Sequence, residues 1–136
     1  MSVGVVIVAH YKLGDEFLHA LRLIVPDAPE FQSVSVEPDQ SVDTMREAIA
    51  RALKAAEQGQ GVLVLTDMFG GTPSNISLSF LDEHHVEVVT GVNLPMLIKL
   101  ATLREERPLD DLAAFIKEYG QRNISLAGEL VSEGQS

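Results

Sequence analysis

Val3-Gly4-Val5-Val6-Ile7-Val8-Ala9 is a continuous apolar run, mostly β-branched and without polar alternation. A strand with one wet face would alternate, so this pattern suits a strand buried on both sides, as in parallel sheets covered by helices. Gly61–Thr66 (GVLVLT) reads as a second short buried strand, and Val86–Thr90 (VEVVT), closed by Gly91, as another strand. Phe31–Val36 alternates only loosely and reads as a weaker strand at an edge. Asn123–Leu126 reads as a brief final strand.

The intervening stretches carry helical spacing. Leu13–Ile24 places Phe17, Leu18, Leu21 and Ile24 on one face, and Pro26 and Pro29 break it. Ser41 is placed to cap a helix with Val42, Met45, Ile49, Leu53 and Ala56 along one side, closed by Gly59 and Gly61. Ser74–Phe80, Leu94–Leu103 and Leu109–Tyr119 also read as helices. Strands alternating with helices predict an α/β domain with helices on both faces of a parallel sheet. No repeat, linker or low-complexity tract divides the chain, so residues 1–127 read as one domain and 128–136 as a flexible polar tail.

Composition removes several function classes. Asp and Glu total 20 against 10 Lys and Arg, a formal charge of −10, which disfavours nucleic acid and anionic membrane surfaces. The same charge serves solubility or steers basic partners, and both readings stay open. The chain has no cysteine, which excludes disulfides and thiolate chemistry. Val3–Ala9 is short and lacks a basic flank, so it does not read as a signal peptide. No segment approaches the ~20 apolar residues of a membrane span. The expected location is the cytoplasm.

In open parallel sheets, chemistry collects at the carboxyl ends of strands, where the strand order reverses. In a flavodoxin-like order, the first and third strands flank that point. His10 ends the first and Asp67 follows the third. A carboxylate that accepts one imidazole N–H fixes the tautomer and leaves the other nitrogen as a nucleophile. Alone, His10 reads equally as a satisfied polar residue at a strand end, and Asp67 as the cap of a turn. Gly70-Gly71-Thr72-Pro73 then leads into a helix, with Thr72 as its expected N-cap and Pro73 as its first residue. Glycines there admit close backbone approach, and the helix start favours an anion such as a phosphoryl group. Gly91-Val92-Asn93-Leu94-Pro95 lies on the same rim and reads as a turn into a helix.

AHYKLG after the first strand, DMFGGTPSN after the third and GVNLPML after the fourth resemble the mannose-family enzyme IIA of the phosphoenolpyruvate-dependent sugar phosphotransferase system. The resemblance runs from Val3 to about Leu126. It implies a flavodoxin-like sheet with an added C-terminal antiparallel edge strand at Asn123–Leu126, exchanged across a homodimer. It further implies a phosphotransferase component in which His10 accepts a phosphoryl group from the histidine-containing phosphocarrier protein and passes it to enzyme IIB. Asp67 would orient the ring, and Gly70, Gly71 and Thr72 would surround the phosphoryl group. No cofactor and no metal are implied, and membrane contact is only indirect, through transporter components. One departure stands out: the family commonly has Gly after the histidine, whereas here Tyr11 and Lys12 follow. No linker or IIB domain follows, so the acceptor is expected to be a separate protein.

Other readings compete. A regulatory sensor whose phosphorylation state is read by a partner fits the same residues, as does the phosphotransfer subunit of dihydroxyacetone kinase, although GGTPSN and GVNLPM favour the mannose family. A response-regulator receiver needs an acidic cluster for Mg²⁺ where this chain has Ala9-His10. A metal-binding module would have to use His19, His84 and His85, which lack ligand spacing. A nucleotide binder would carry a GxGxxG or GxxxxGK[ST] loop, which is absent after the first strand.

Overall fold

The computed structural model describes residues 2–82 and 85–134. The elements run β1 (Gly4–His10), α1 (Leu13–Ile24), β2 (Gln32–Val36), α2 (Val42–Ala56), β3 (Val62–Thr66), α3 (Thr72–Leu78), β4 (Val86–Thr90), α4 (Leu94–Thr102), α5 (Leu109–Arg122) and α6 (Ala127–Gly134). Four parallel strands lie in the order β2-β1-β3-β4. The order reverses between β1 and β3, as the flavodoxin-like reading requires, and β2 sits at an edge.

The apolar runs are continuous because both sheet faces are covered. Successive side chains point to opposite sides. Val5, Ile7 and Ala9 of β1 therefore pack under α1, α4 and α5 with Leu21, Leu97 and Ile116. Val6 and Val8 face α2 and α3 with Ile49, Leu53 and Ile76. Burying each such Val, Leu or Ile contributes about 1.5–3 kcal/mol relative to exposure. With aromatic residues at 5% of the chain, aliphatic packing dominates both layers. Helix faces blur at their ends: Ile24 and Val42, expected to be buried, are exposed.

Local chemistry fixes the boundaries. Ser41 Oγ accepts the Thr44 N–H at 3.1 Å and starts α2, a cap contributing about 1 kcal/mol. Asn93 starts α4 in the same way, accepting the Met96 N–H at 3.1 Å, and its amide donates to the Gly120 carbonyl at 3.1 Å. The Gly91–Pro95 stretch is thus a turn and cap that also ties α4 to the end of α5.

The expected antiparallel edge strand at Asn123–Leu126 does not form within the single chain. Asn123 closes α5 instead, its backbone and side-chain N–H groups both donating to the Tyr119 carbonyl. The Leu126 carbonyl accepts from Glu129 and Leu130 and opens α6. The segment read as a polar tail thus lies largely in a helix, with Leu130 and Val131 exposed. Among the described residues, no helix is long and apolar enough to cross a membrane.

Candidate functional site

The reversal between β1 and β3 brings together residues 57 apart in sequence. His10 is the last residue of β1, and Asp67 follows the last residue of β3. Asp67 Oδ2 accepts the His10 backbone N–H at 3.0 Å and lies 2.7 Å from His10 Nδ1. One carboxylate oxygen therefore holds both the strand end and the ring. Burial raises the Asp67 carboxyl, the largest single influence on it. The two hydrogen bonds from His10 and the attraction of its ring together outweigh that, so the carboxyl sits below its ordinary 3.8. An ionised carboxylate only accepts, so whenever the ring is neutral its proton sits on Nδ1 and Nε2 keeps its lone pair. The Asp67 side chain is 11% exposed and that of His10 43% exposed, which leaves the ring open to a partner.

The glycines of the β3–α3 turn serve distinct ends. Gly70 has φ 88°, a left-handed conformation that favours glycine, with nothing within 4 Å of where a Cβ would stand. Gly71 has φ −86°, accessible to any residue, but a Cβ there would stand 3.0 Å from His10 Cε1 and 3.5 Å from Nε2. Gly71 thus keeps clear the space beside the outward nitrogen. Gly71→Ala is expected to leave the fold intact and to slow transfer of a group to His10 Nε2 about tenfold or more, because a small displacement of a reacting group carries such a penalty. Uptake rate measured beside thermal unfolding checks this, and a wild-type rate would refute the clearance role.

Gly71, not Thr72, occupies the N-cap of α3. Thr72 is the first helical residue and Pro73 follows it, one position later than expected. The cap carries no side-chain hydrogen bond, because glycine offers none. Thr72 is exposed on the site's rim. Pro73 and Ser74 are buried and anchor the helix start.

Tyr11 has φ 50°, the one left-handed non-glycine among the described residues. Such a conformation costs on the order of 1–3 kcal/mol for a side-chain-bearing residue. Its N–H donates to the Val36 carbonyl at 2.9 Å, extending the β1–β2 ladder by one bond. Its ring is 60% exposed, as are Met68 at 53% and Phe69 at 72% in the opposite turn. A glycine-rich turn over 67–73 does not by itself single out these two. The signal was available: two large apolar residues in a turn too short to bury them.

The other histidines lie elsewhere. His19 Nδ1 stands 3.3 Å from Glu16 Oε1 on the exposed side of α1. His85 is exposed just before β4, and His84 lies outside the described residues. Among the described residues, no group of three metal-ligating side chains is present.

A family model described as "PTS system fructose IIA component" (EIIA-man) matches residues 4–117. The fructose-specific EIIA component of Bacillus subtilis is 29% identical over 128 residues, covering 93% of this chain and 88% of that protein. The mannose-specific EIIAB component of Escherichia coli is 29% identical over 126 residues, and the chain spans 39% of its length. Among solved structures, the mannose/sorbose-specific IIA subunit from Enterococcus faecalis superposes with a TM-score of 0.83 at 29% identity, covering 93% of this chain and 95% of that one.

Proposed function

The chain belongs to the mannose-type EIIA family of the sugar phosphotransferase system, and from that premise we propose that it carries a phosphoryl group on His10 Nε2, between the histidine-containing phosphocarrier protein and enzyme IIB. The reading rests on one observation: Asp67 Oδ2 sits 2.7 Å from His10 Nδ1, while the rest of the ring stays open.

The Nε2 lone pair attacks the phosphorus of the donor's phosphohistidine. The P–N bond to the donor breaks, its electron pair returns to the donor imidazole, and a P–Nε2 bond forms. The proton on Nδ1 stays with the ring, which becomes cationic, and Asp67 stabilises that charge. Little else is asked of the protein, because such transfer depends on positioning and electrostatics. Gly70 and Gly71 leave room for the phosphoryl oxygens, and the Thr72 hydroxyl lies on the same rim. Transfer to enzyme IIB runs the same steps with His10 as leaving group. Intact mass after incubation with phosphoenolpyruvate, enzyme I and the phosphocarrier tests the reading. A single acid-labile, alkali-stable phosphoryl adduct is expected, and no adduct from a donor verified as active would refute it.

The working unit in this reading is a homodimer. β4 ends the sheet with a free edge, and a groove of about 480 Å³ runs between it and α5. Ile124 lines it, and Ile124, Leu126, Leu130 and Val131 are exposed apolar residues of the C-terminal segment. Residues 123–126 of a second copy would supply the antiparallel strand that the single chain leaves unformed. Light scattering is expected to give twice the chain mass, and Leu126→Asp to shift it toward monomer; a monomeric wild type would refute the exchange.

A further inference from the structure

Methionine is the softest side chain this protein offers to an oxidant. The chain has four methionines and no cysteine, so no thiolate competes for a peroxide. The fold sorts the described methionines by access. Met45 is 6% exposed in the core layer facing α2 and α3, and Met96 is 4% exposed in the layer under α1, α4 and α5. Met68 is 53% exposed in the β3–α3 turn. An oxidant arriving from solvent therefore meets Met68 before the other two. Met1 lies outside the described residues.

The place of Met68 gives that access a consequence. Its Cγ and His10 Nε2 each lie 3.5 Å from one point, the place where a Cβ of Gly71 would stand. Gly71 keeps that space clear. The Met68 sulfur, one bond beyond Cγ on an unbranched and flexible side chain, borders it. Oxidation converts the thioether into a sulfoxide, which is polar and carries an additional oxygen. A phosphoryl group that reaches Nε2 brings negatively charged oxygens into the same space. A dipole with its negative end there opposes the reaction, as an oxyanion-hole donor favours one. The added oxygen also fills room that the missing Cβ of Gly71 leaves open.

We propose that Met68 is a modification site: a hydroperoxide oxidises its sulfur, and the sulfoxide slows phosphoryl transfer to His10 Nε2. The effect on transfer rests on the phosphoryl-carrier reading above, whereas the oxidation itself does not. A sulfur lone pair attacks one peroxide oxygen, the O–O bond breaks and an S–O bond forms. The proton of the attacked oxygen passes to the departing one, which leaves as water or an alcohol. Sulfur gives up two electrons and the peroxide gains them. Methionine sulfoxide reductases reverse the change, one enzyme for each sulfoxide epimer, so the device resets.

The test reads oxidation and transfer on the same samples. The full chain is treated with hydrogen peroxide, and peptide mass mapping follows each methionine. Met68 is expected to oxidise about tenfold faster than Met45 or Met96, because susceptibility follows exposure. Phosphoryl uptake is then measured from phosphoramidate, a small donor that transfers its phosphoryl group to imidazole with release of ammonia. Oxidised wild type is expected to take up the group about tenfold more slowly than untreated protein. Treatment with both sulfoxide reductases and a thiol is expected to restore the rate. Met68→Leu, compared with its own untreated rate, is expected to lose nothing to peroxide. Met68→Gln carries an amide oxygen on the atom that replaces sulfur and is expected to show part of the loss without peroxide. Circular dichroism on each sample separates slowed transfer from lost folding. Met68 oxidised no faster than the buried pair, unchanged uptake after oxidation, or an equal loss in Met68→Leu would overturn the proposal and leave the carrier reading intact. An untreated wild type that takes no phosphoryl group from phosphoramidate or from the phosphorylated phosphocarrier would overturn both.

Discussion

His10→Ala protein is expected to remain folded and to take up no phosphoryl group under conditions that label the wild type completely. The two halves of that expectation have separate grounds. The fold tolerates the change because the His10 side chain is 43% exposed and belongs to neither core layer. The backbone N–H of residue 10 still donates to Asp67, so the carboxylate loses one of its two donors. Such a loss costs about 1–3 kcal/mol, which a domain of ordinary stability survives. His10→Asn restores a side-chain donor near the position of Nδ1 but offers no nucleophilic nitrogen, so it is expected to regain stability without regaining uptake. Activity is lost outright because no other described histidine has the same setting: His19 is exposed on α1 beside Glu16, and neither it nor His85 has an Asp67 equivalent buried at its side. Circular dichroism and intact mass on the same samples check both halves. An adduct on His10→Ala, mapped by alkali-stable peptide analysis, would place the chemistry on another residue.

Much of this was legible in the sequence, because the deciding patterns are local. Val3–Ala9 and Gly61–Thr66 each lack alternation, and the strands they form, β1 and β3, are buried by helices on both sides, whereas Val86–Thr90 forms the half-buried edge strand β4. The pairing of His10 with Asp67 followed from topology alone, once the chain reversal was placed between the first and third strands. What stayed hidden depended on contacts that no short window contains. The Asn93 amide reaches Gly120, 27 residues away, so only its capping half could be read. Thr72 looked like a cap by residue type, but Gly71 takes the position with extended backbone, and its missing Cβ leaves the His10 ring clear. Asn123–Leu126 has strand character, but within the single chain the Asn123 and Ile124 donors turn back to α5. The left-handed backbone of Tyr11 stayed hidden because the residue type disfavours it.

Asp67 is expected to separate rate from fold in a graded way. Asp67→Asn keeps an oxygen where Oδ2 now accepts from the His10 backbone and ring, and removes only the charge. Two unit charges about 4 Å apart at an effective dielectric near 20 interact by about 4 kcal/mol, and solvent reaching the half-open ring reduces that to about half. At about 1.4 kcal/mol per tenfold in rate, Asn is expected to slow uptake about 10- to 100-fold. Asp67→Ala also frees the ring to rotate and to adopt either tautomer, so a loss of about 10²- to 10³-fold is expected. Stability carries an independent signature of the same contact. The Asp67 carboxyl titrates lower in the folded chain than its ordinary 3.8. The unfolded chain therefore binds the extra proton first as pH falls. The stabilisation is complete above the unfolded value near 4 and is lost as pH drops through the folded value. Wild type should accordingly exceed Asp67→Ala in urea midpoint by more at pH 7 than at pH 3. Uptake by Asp67→Ala at the wild-type rate would remove the orienting role, and a midpoint difference independent of pH would mean that the carboxylate contributes shape rather than charge. If both hold, the residue that pins the end of β1 is also the one that makes its last side chain a nucleophile.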